Sequence, residues 1–231
     1  MTLHIGLLVF PKVQQLDLTG PYDVFASIPG VTVHLVWKNL DSLLSSTGLN
    51  LLPTRTFDDC PDLDVICVPG GLGIDALLED AETLNFIKRQ ANNVRYVTSV
   101  CTGTLVLGAA GLLEGKRATT HWASHDLLEQ FGAIPVQERV VRDGNLMTGG
   151  GVTAGIDFAL TLIGELFDTD IAQTIQLQIE YAPAPPFDAG RPDTAPAAVL
   201  AVAKERAAPG LEARRRIVER VAAVRGQAFG G

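Results

Sequence analysis

Cys101 is the residue of this sequence best placed to act as a nucleophile. It lies in the stretch VTSVCTGT, between a β-branched run that ends at Val100 and a helical pattern that begins at Gly103. A cysteine at such a strand-to-helix turn projects its sulfur from the turn, and the positive end of the following helix stabilises a thiolate. The competing interpretation is a buried cysteine that only packs. The choice depends on whether the chain supplies a partner for the thiol.

The other cysteines and the histidines supply no obvious partner. Cys67 lies inside an apolar run, and Cys60 lies in the acidic stretch FDDCPDLD, where carboxylates would raise its pKa. No histidine follows Cys101, because the next residue is Thr102. His121, in ATTHWASHD, could line a pocket. The histidines and cysteines also have no spacing typical of a metal site.

Asp17 is the acid that could serve the thiol. It lies in QQLDLTGPYDVF, between Leu16 and Leu18, just after the first apolar run. It either caps the amino terminus of a helix or is a buried functional acid. If it faces Cys101, the two groups titrate together and share one proton, because two anions in contact repel. A protonated Asp17 would then be a general acid.

Two glycine clusters follow predicted strands, Pro69-Gly70-Gly71 and Gly149-Gly150-Gly151. Glycines there let main-chain N–H groups approach a ligand, which makes Gly71 and Gly150 candidate binding positions. Tight turns that need a positive φ are an equally good explanation. Neither cluster matches a P-loop or a dinucleotide-binding fingerprint.

The composition excludes several classes of protein. The chain has 231 residues, of which 47% are hydrophobic and 19% charged, so a large core can form. The net charge of −8 argues against binding to nucleic acid or to an anionic membrane. The start, MTLHIGLLVF, is typical of a strand rather than a signal peptide, and no apolar run reaches the roughly 20 residues of a membrane span. We therefore expect a cytoplasmic protein.

Short apolar strands alternate with helical patterns along the first 167 residues. The pattern predicts strands at 3–10, 31–37, 63–68 and 94–100, and helices at 16–28 (interrupted at Gly20-Pro21), 81–92 and 103–113. A hairpin is predicted around Asp143-Gly144, from strands at 136–142 and 145–148, followed by a helix at 154–167.

This alternation predicts an α/β sandwich, a mostly parallel sheet covered by helices on both faces. Ligands of such sheets bind at the carboxyl ends of the strands, here after Phe10, Val68 and Val100. Residues 1–195 are interpreted as one domain that includes a proline-rich strap from Ala182. Residues 196–231 are interpreted as a helical tail of the same domain, broken at Pro209-Gly210.

The motifs LDLTGPYDVF, DVICVPGG and VTSVCTGTLVLGAAGLLEGKRATTHW resemble the ThiJ/PfpI superfamily. That resemblance implies a flavodoxin-like fold, a reactive elbow cysteine and a dimer. Many members carry a histidine directly after the cysteine and act as proteases or amidases, whereas this chain has Thr102 there. Within the superfamily the chain resembles the isocyanide hydratases through QQLDLTGP, SVCTG, VVRDGN, GGGVTAGIDFALTL and YAPAPPF.

The resemblance to the hydratases implies a role for each matching residue. Cys101 would be the nucleophile, Asp17 the general acid and base, and Thr102 the residue that orients the acid. The main chain at Gly150 and Val152 would lie close to the cysteine. The implied reaction converts a small-molecule isocyanide and water into an N-substituted formamide through a thioimidate on Cys101, with no metal and no organic cofactor, in a homodimer.

Two other functions stay open. LDLTGPYDVF and ATTHW also resemble the amidotransferase-like sensor domain of AraC-type transcription regulators. Those regulators carry a helix-turn-helix region of roughly 100 residues, and the tail after Asp193 is too short for one. The third possibility is glyoxalase-like or protease-like chemistry at Cys101. The absence of a histidine at position 102 weighs against it.

Overall fold

The computed structural model describes residues 2–229. Met1 and residues 230–231, which the predicted domain and tail include, lie outside the described residues. The strands are β1 (Leu3–Leu8), β2 (Val31–Trp37), β3 (Leu43–Leu44), β4 (Asn50–Leu51), β5 (Arg55–Thr56), β6 (Val65–Val68), β7 (Tyr96–Val100), β8 (Arg117–Ala118), β9 (Ile134–Pro135), β10 (Val140–Asp143) and β11 (Leu146–Gly149).

The helices are α1 (Gln15–Ala26), α2 (Ile74–Leu77), α3 (Ala81–Ala91), α4 (Gly103–Ala109), α5 (Ala154–Leu166), α6 (Thr169–Gln178) and α7 (Ala197–Phe229). A 3-10 segment runs from Trp122 to Phe131. None of the helices within residues 2–229 is long and apolar enough to cross a membrane.

Seven strands form the central sheet, in the spatial order β10-β11-β7-β6-β1-β2-β5. All neighbours pair in parallel except β10 and β11, which form the predicted antiparallel hairpin. The inner strands β6 and β11 are buried along their whole length, as strands covered on both faces must be. The predicted α/β sandwich with a mostly parallel sheet is confirmed.

The strand order places a switch point between β1 and β6. From β1 the chain continues to β2 on one side, and it later returns to β6 on the other side. The crevice outside the carboxyl ends of two such strands is where ligands of doubly wound sheets bind. The segments that leave β1 and β6 therefore meet at one place.

Two groups of helices cover the two faces of the sheet. In one group α1 packs on α5, and α5 packs on α6. The rings of Phe25 and Phe158 meet edge to face at 6.0 Å between the first two of these helices. In the other group α3 and α4 lie on β6, and α7 packs on the 3-10 segment and on α4.

Two predicted helix breaks are wrong. α1 runs through Gly20-Pro21, and α7 runs through Pro209-Gly210. A proline inside a helix removes one hydrogen bond, but tertiary packing can outweigh that loss. In α1, Pro21 lies in the core against Gly155, where a β-carbon would come within 3.0 Å of the proline ring. In α7, the turns beyond the proline are anchored by Val218, which is fully buried.

Other differences from the sequence prediction are local. β6, β7 and α4 are shorter than predicted, and the stretch that contains His121 and His125 forms a 3-10 segment with His121 as its cap. Helix α6 was not predicted, although Ile171 and Ile175 recur at helical spacing and pack on the core.

Candidate active site

Cys101 lies in the turn between β7 and α4, with a left-handed backbone (φ +56°). Its amide nitrogen donates to the carbonyl oxygens of Gly149, at 3.0 Å, and Gly150, at 2.9 Å. Its own carbonyl oxygen accepts a hydrogen bond of 2.7 Å from Thr120 Oγ1. A left-handed non-glycine residue is strained and persists where its surroundings hold it. The side chain is thus fixed at the carboxyl edge of the sheet, 5% exposed.

Asp17 is the third residue of α1 and is fully buried. Its Oδ2 accepts a hydrogen bond of 2.9 Å from the amide nitrogen of Gly70, at the end of β6. Its Oδ1 is buried and receives no hydrogen bond of good geometry from any residue between 2 and 229. The carboxylate therefore points across the switch point, and the alternative in which Asp17 caps its own helix is wrong.

Asp17 and Cys101 share one buried space and change each other's proton affinity. Burial raises the pKa of Asp17 from 3.8 to about 7, against the opposing effects of the Gly70 amide and the Cys101 thiol. Burial, and then the charge of Asp17, raise the pKa of Cys101 to about 12. When the pH lies between these two pKa values, the pair holds one proton. That proton resides on the sulfur, next to a carboxylate that can accept it.

Thr102 connects the cysteine turn to the turn after β6. Its Oγ1 accepts a hydrogen bond of 3.1 Å from the amide nitrogen of Gly71. Gly71 has φ +134°, and a β-carbon there would come within 2.4 Å of the amide nitrogen of Gln14. The glycine pair after β6 therefore uses its two amides to hold Asp17 and Thr102.

The second glycine cluster lies beside the thiol. The carbonyl oxygens of Gly149 and Gly150 hold the Cys101 amide, as described above. The amide of Val152, together with that of Thr102, lowers the pKa of the Cys101 thiol by hydrogen bonding to it. Val152 itself has φ +22°, an unusual value for a β-branched residue. Gly150 and Val152 thus lie where the sequence resemblance implied, against the cysteine.

His121 also borders the site, through the glycine cluster. A β-carbon on Gly151 would lie 2.9 Å from its Cδ2 atom, so the imidazole covers that residue. Its Nδ1 accepts from the amide of Ala123 at 3.3 Å, and burial, then the charge of Arg214, lower its pKa. The side chain is therefore neutral near pH 7, and the tautomer that accepts at Nδ1 carries its proton on Nε2.

Thr120 is a site residue that the sequence analysis did not identify. It lies in the stretch ATTHW, but the sequence does not indicate its role, because that role comes from a hydrogen bond to a residue 19 positions away. Of the remaining cysteines, Cys60 lies outside the site, and burial raises its pKa to about 11. Cys67 is buried in β6, where burial, with a smaller effect of the Asp17 charge, raises its pKa to about 12. Within residues 2–229, no group of three or more His, Cys, Asp or Glu side chains is arranged to hold a metal ion.

Comparison with known proteins gives relatives over nearly the whole chain. The chain is 70% identical over 223 residues to an isonitrile hydratase of Pseudomonas putida, which covers 96% of this chain and 98% of that protein. A solved structure of a ThiJ/PfpI family protein from Pseudomonas syringae superposes with a TM-score of 0.92 and 46% identity, over 94% of this chain and 91% of that one.

A regulator gives a shorter match. The HTH-type transcriptional regulator GbdR of Pseudomonas aeruginosa is 32% identical over 139 residues, which are 59% of this chain and 38% of the regulator. Residues 4–165, which contain Asp17, Cys101 and both glycine clusters, match the family model described as the DJ-1/PfpI family. The chain belongs to the DJ-1/PfpI family.

Proposed function

We propose that this protein is a cysteine-dependent isocyanide hydratase, which converts an isocyanide and water into an N-substituted formamide. The observation that carries this proposal is the 70% identity, over 96% of the chain, to an isonitrile hydratase. The buried pair of Asp17 and Cys101 supports it, because one carboxylate beside one thiol supplies the proton transfers that the reaction needs.

The first step adds the thiol of Cys101 across the terminal carbon of the isocyanide. Asp17 accepts the thiol proton as the sulfur attacks, and the attack leaves an electron pair on that carbon. Asp17 then delivers the same proton to the carbon, which gives a thioimidate, R–N=CH–S–Cys101. One proton moves from sulfur to carbon, and the carboxylate is regenerated.

The second step hydrolyses the thioimidate. Asp17, again a carboxylate, accepts a proton from the attacking water as its oxygen bonds to the carbon. Asp17 passes this proton to the nitrogen. The tetrahedral intermediate then expels the sulfur of Cys101 as its carbonyl forms, and the proton of its hydroxyl passes through Asp17 to the thiolate. The products are R–NH–CHO and the free thiol, so atoms and protons balance without a redox step or a metal.

The raised pKa of Asp17 suits both of its tasks. A group that must both accept and donate a proton works best with a pKa near the ambient pH, and burial raises the pKa of Asp17 to about 7. A histidine next to the cysteine is then not required. In this mechanism Thr102 and Gly71 orient the turn that faces the acid, while the Gly150 carbonyl and the Val152 amide hold the cysteine turn.

We also propose that the protein acts as a homodimer in the cytoplasm. Support for the dimer comes from exposed apolar side chains in the segment that follows α5. Leu177 is 81% exposed and Phe187 is 79% exposed. The proline-rich strap that carries Phe187 is exposed along most of its length. Sedimentation of a monomer at micromolar concentration would contradict this assembly.

The decisive experiment mixes the purified protein with an aryl or alkyl isocyanide and follows the formamide by mass spectrometry. Asp17→Asn and Cys101→Ala run beside the parent, with Cys60→Ala as a control, since Cys60 is a free cysteine whose charged neighbours do not include Asp17. We expect turnover by the parent and the control, none by Cys101→Ala and a severe loss in Asp17→Asn. A parent that makes no formamide above the buffer rate would contradict the hydratase proposal.

A ligand sensor is the second candidate, because of the match to GbdR over 139 residues. Saturable binding of a small molecule without turnover of any isocyanide would favour it over the hydratase.

A further inference from the structure

We propose that Arg139 is a positioning residue that holds the segment from Gly150 to Thr153 against the thiol of Cys101. This inference rests on the proposed hydratase function for its kinetic consequence. Arg139 itself lies just before β10 and does not belong to the pair that moves the proton.

Arg139 contacts both ends of this segment. Its main-chain oxygen accepts a hydrogen bond of 2.9 Å from the amide of Gly150. Its guanidinium donates from Nη2 to Thr153 Oγ1 at 3.1 Å, and from Nε to Asp157 Oδ2 at 2.6 Å. One residue thus binds the start of the segment through its backbone and the end through its side chain.

The segment needs such support because it carries strain where it meets the cysteine. Val152 has φ +22°, which is costly for a β-branched residue and persists where neighbouring groups hold it. The carbonyl oxygen of Gly150 accepts from the Cys101 amide at 2.9 Å, and the Val152 amide bonds to the thiol. A shift of this segment would weaken the hydrogen bond that stabilises negative charge on sulfur.

Asp157 is itself fixed by a second donor. Tyr181 Oη donates to the same Oδ2 atom at 3.0 Å. Asp157 lies in the first turn of α5, where a carboxylate is favoured by the helix dipole. The carboxylate that receives the Arg139 guanidinium is therefore held from two sides, and the guanidinium in turn has a defined orientation.

Arg142 provides a matched control on the same hairpin. Its Nη1 lies 2.6 Å from Glu165 Oε1, at the other end of α5. The two arginines are similarly exposed, 51% for Arg139 and 46% for Arg142. Both join the hairpin to α5 by an ion pair of the same length, but Arg142 makes no side-chain hydrogen bond to the segment from Gly150 to Thr153.

The test compares Arg139→Met, Arg139→Lys and Arg142→Met with the parent. We measure kcat and KM with an aryl isocyanide, and the rate at which iodoacetamide alkylates the Cys101 peptide at pH 9, read by mass spectrometry. We expect Arg139→Met to lower kcat by roughly tenfold or more with KM little changed, as for other residues that orient a reacting group. Alkylation of Cys101 should slow by roughly tenfold, the effect of losing one hydrogen bond to a thiolate.

Arg139→Lys, which keeps the charge but not the forked geometry, should lie between the parent and Arg139→Met. Arg142→Met should match the parent in both measurements. The proposal is overturned if Arg139→Met alkylates at the rate of Arg142→Met, or if its change lies in KM alone. If Arg139→Met does not fold, Tyr181→Phe replaces it in the test, because it removes only the hydroxyl that fixes Asp157. We then expect the alkylation of Cys101 to slow, by a smaller factor than the tenfold expected for Arg139→Met.

The alkylation rate separates this proposal from the proposed function. A parent that does not hydrate isocyanides would contradict the hydratase assignment, yet the rates of the three variants would still test whether Arg139 positions the segment. A hydratase whose Cys101 reacts equally fast in all variants would contradict the positioning role alone.

Discussion

The amide nitrogen of Gly70 donates a hydrogen bond of 2.9 Å to Asp17 Oδ2, across 53 residues of sequence. The contact joins the turn after β6 to the first turn of α1, over the switch point of the sheet. It stabilises the ionised form of a carboxylate that burial would otherwise keep protonated. In the proposed mechanism, the alternation of Asp17 between acid and base thus depends on a main-chain group.

Gly70→Ala should disable the site. A β-carbon at this position would lie 2.6 Å from Thr102 Oγ1 and 2.8 Å from Asp17 Oδ2, so both groups would have to move. We expect a loss of kcat/KM of at least about tenfold, and a loss of about 1–3 kcal/mol in the free energy of unfolding. Gly164→Ala, in α5, is the control, because its β-carbon would make an ordinary contact of 4.0 Å with Ala172. Equal activity of the two variants would contradict the prediction.

Thr102→Val should lower activity without removing a charge. Valine has nearly the same shape but cannot accept the 3.1 Å hydrogen bond from the Gly71 amide. An unpaired N–H group in this partly buried turn costs up to about 1–3 kcal/mol, and the turn that faces Asp17 should shift. We expect a severalfold fall in kcat, measured by formamide formation. Thr102→Ser keeps the acceptor and should retain most of the activity, and a serine variant as impaired as the valine variant would rule out this role for the hydroxyl.

Asp17→Asn should stabilise the protein at neutral and alkaline pH. The folded-state pKa of Asp17, about 7, lies above its unfolded value of 3.8, so the folded protein binds more protons between these values. The stability associated with protonated Asp17 is therefore complete below pH 4 and is lost as the pH rises to about 7. Asparagine avoids this loss, so we expect a gain on the order of 2–4 kcal/mol at pH 8 and little at pH 4.

Urea unfolding at pH 4 and pH 8 measures this difference. Asp23→Asn, an exposed position of the same helix, is the matched control and should show no such pH dependence. An equal effect of Asp17→Asn at both pH values would show that its pKa is not raised in the folded state.

The rate of hydration should rise with pH up to about pH 7 and then level off. Below the pKa of Asp17, both the carboxyl and the thiol are protonated and no base can accept the thiol proton. Above it, the pair holds one proton until the pKa of Cys101, about 12. The measurement is kcat/KM against pH, which reports groups of the free enzyme. A rise centred near pH 4 would indicate an exposed carboxyl, and one near pH 9 a free thiol, and either result would exclude the pair described above.

Arg214→Leu should weaken the attachment of α7 more than Arg220→Leu. Arg214 is 9% exposed, and its Nε donates to Asp75 Oδ1 at 2.6 Å while Nη1 donates to Ser124 Oγ at 3.2 Å. Its loss leaves a partly buried carboxylate unpaired, which should cost about 2–3 kcal/mol. Arg220 pairs with Glu79 at the surface, where such pairs contribute less than about 1 kcal/mol. Thermal unfolding compares the two, and equal losses would contradict the predicted difference.

The sequence by itself determined the class of the fold and the position of the candidate nucleophile. Apolar strands that alternate with helices can be buried only in a sheet covered on both faces, and Cys101 between β7 and α4 follows from local patterns on either side of it. Local patterns also identified Asp17 and the two glycine clusters as candidates. They did not decide between a helix cap and a functional acid, because a carboxylate in the first turn of a helix is typical of both.

The tertiary structure decided which of these groups meet. Asp17 binds Gly70 and Thr102 binds Gly71 at separations of 53 and 31 residues. The strand order β7-β6-β1 brings these distant residues together, because it places the three turns that carry them at one edge of the sheet. Tertiary packing also allows α1 and α7 to continue through prolines, where local propensity predicts that a helix ends. Local propensities amount to about 1–3 kcal/mol at such residues, and burial of a helix face in the core exceeds that amount.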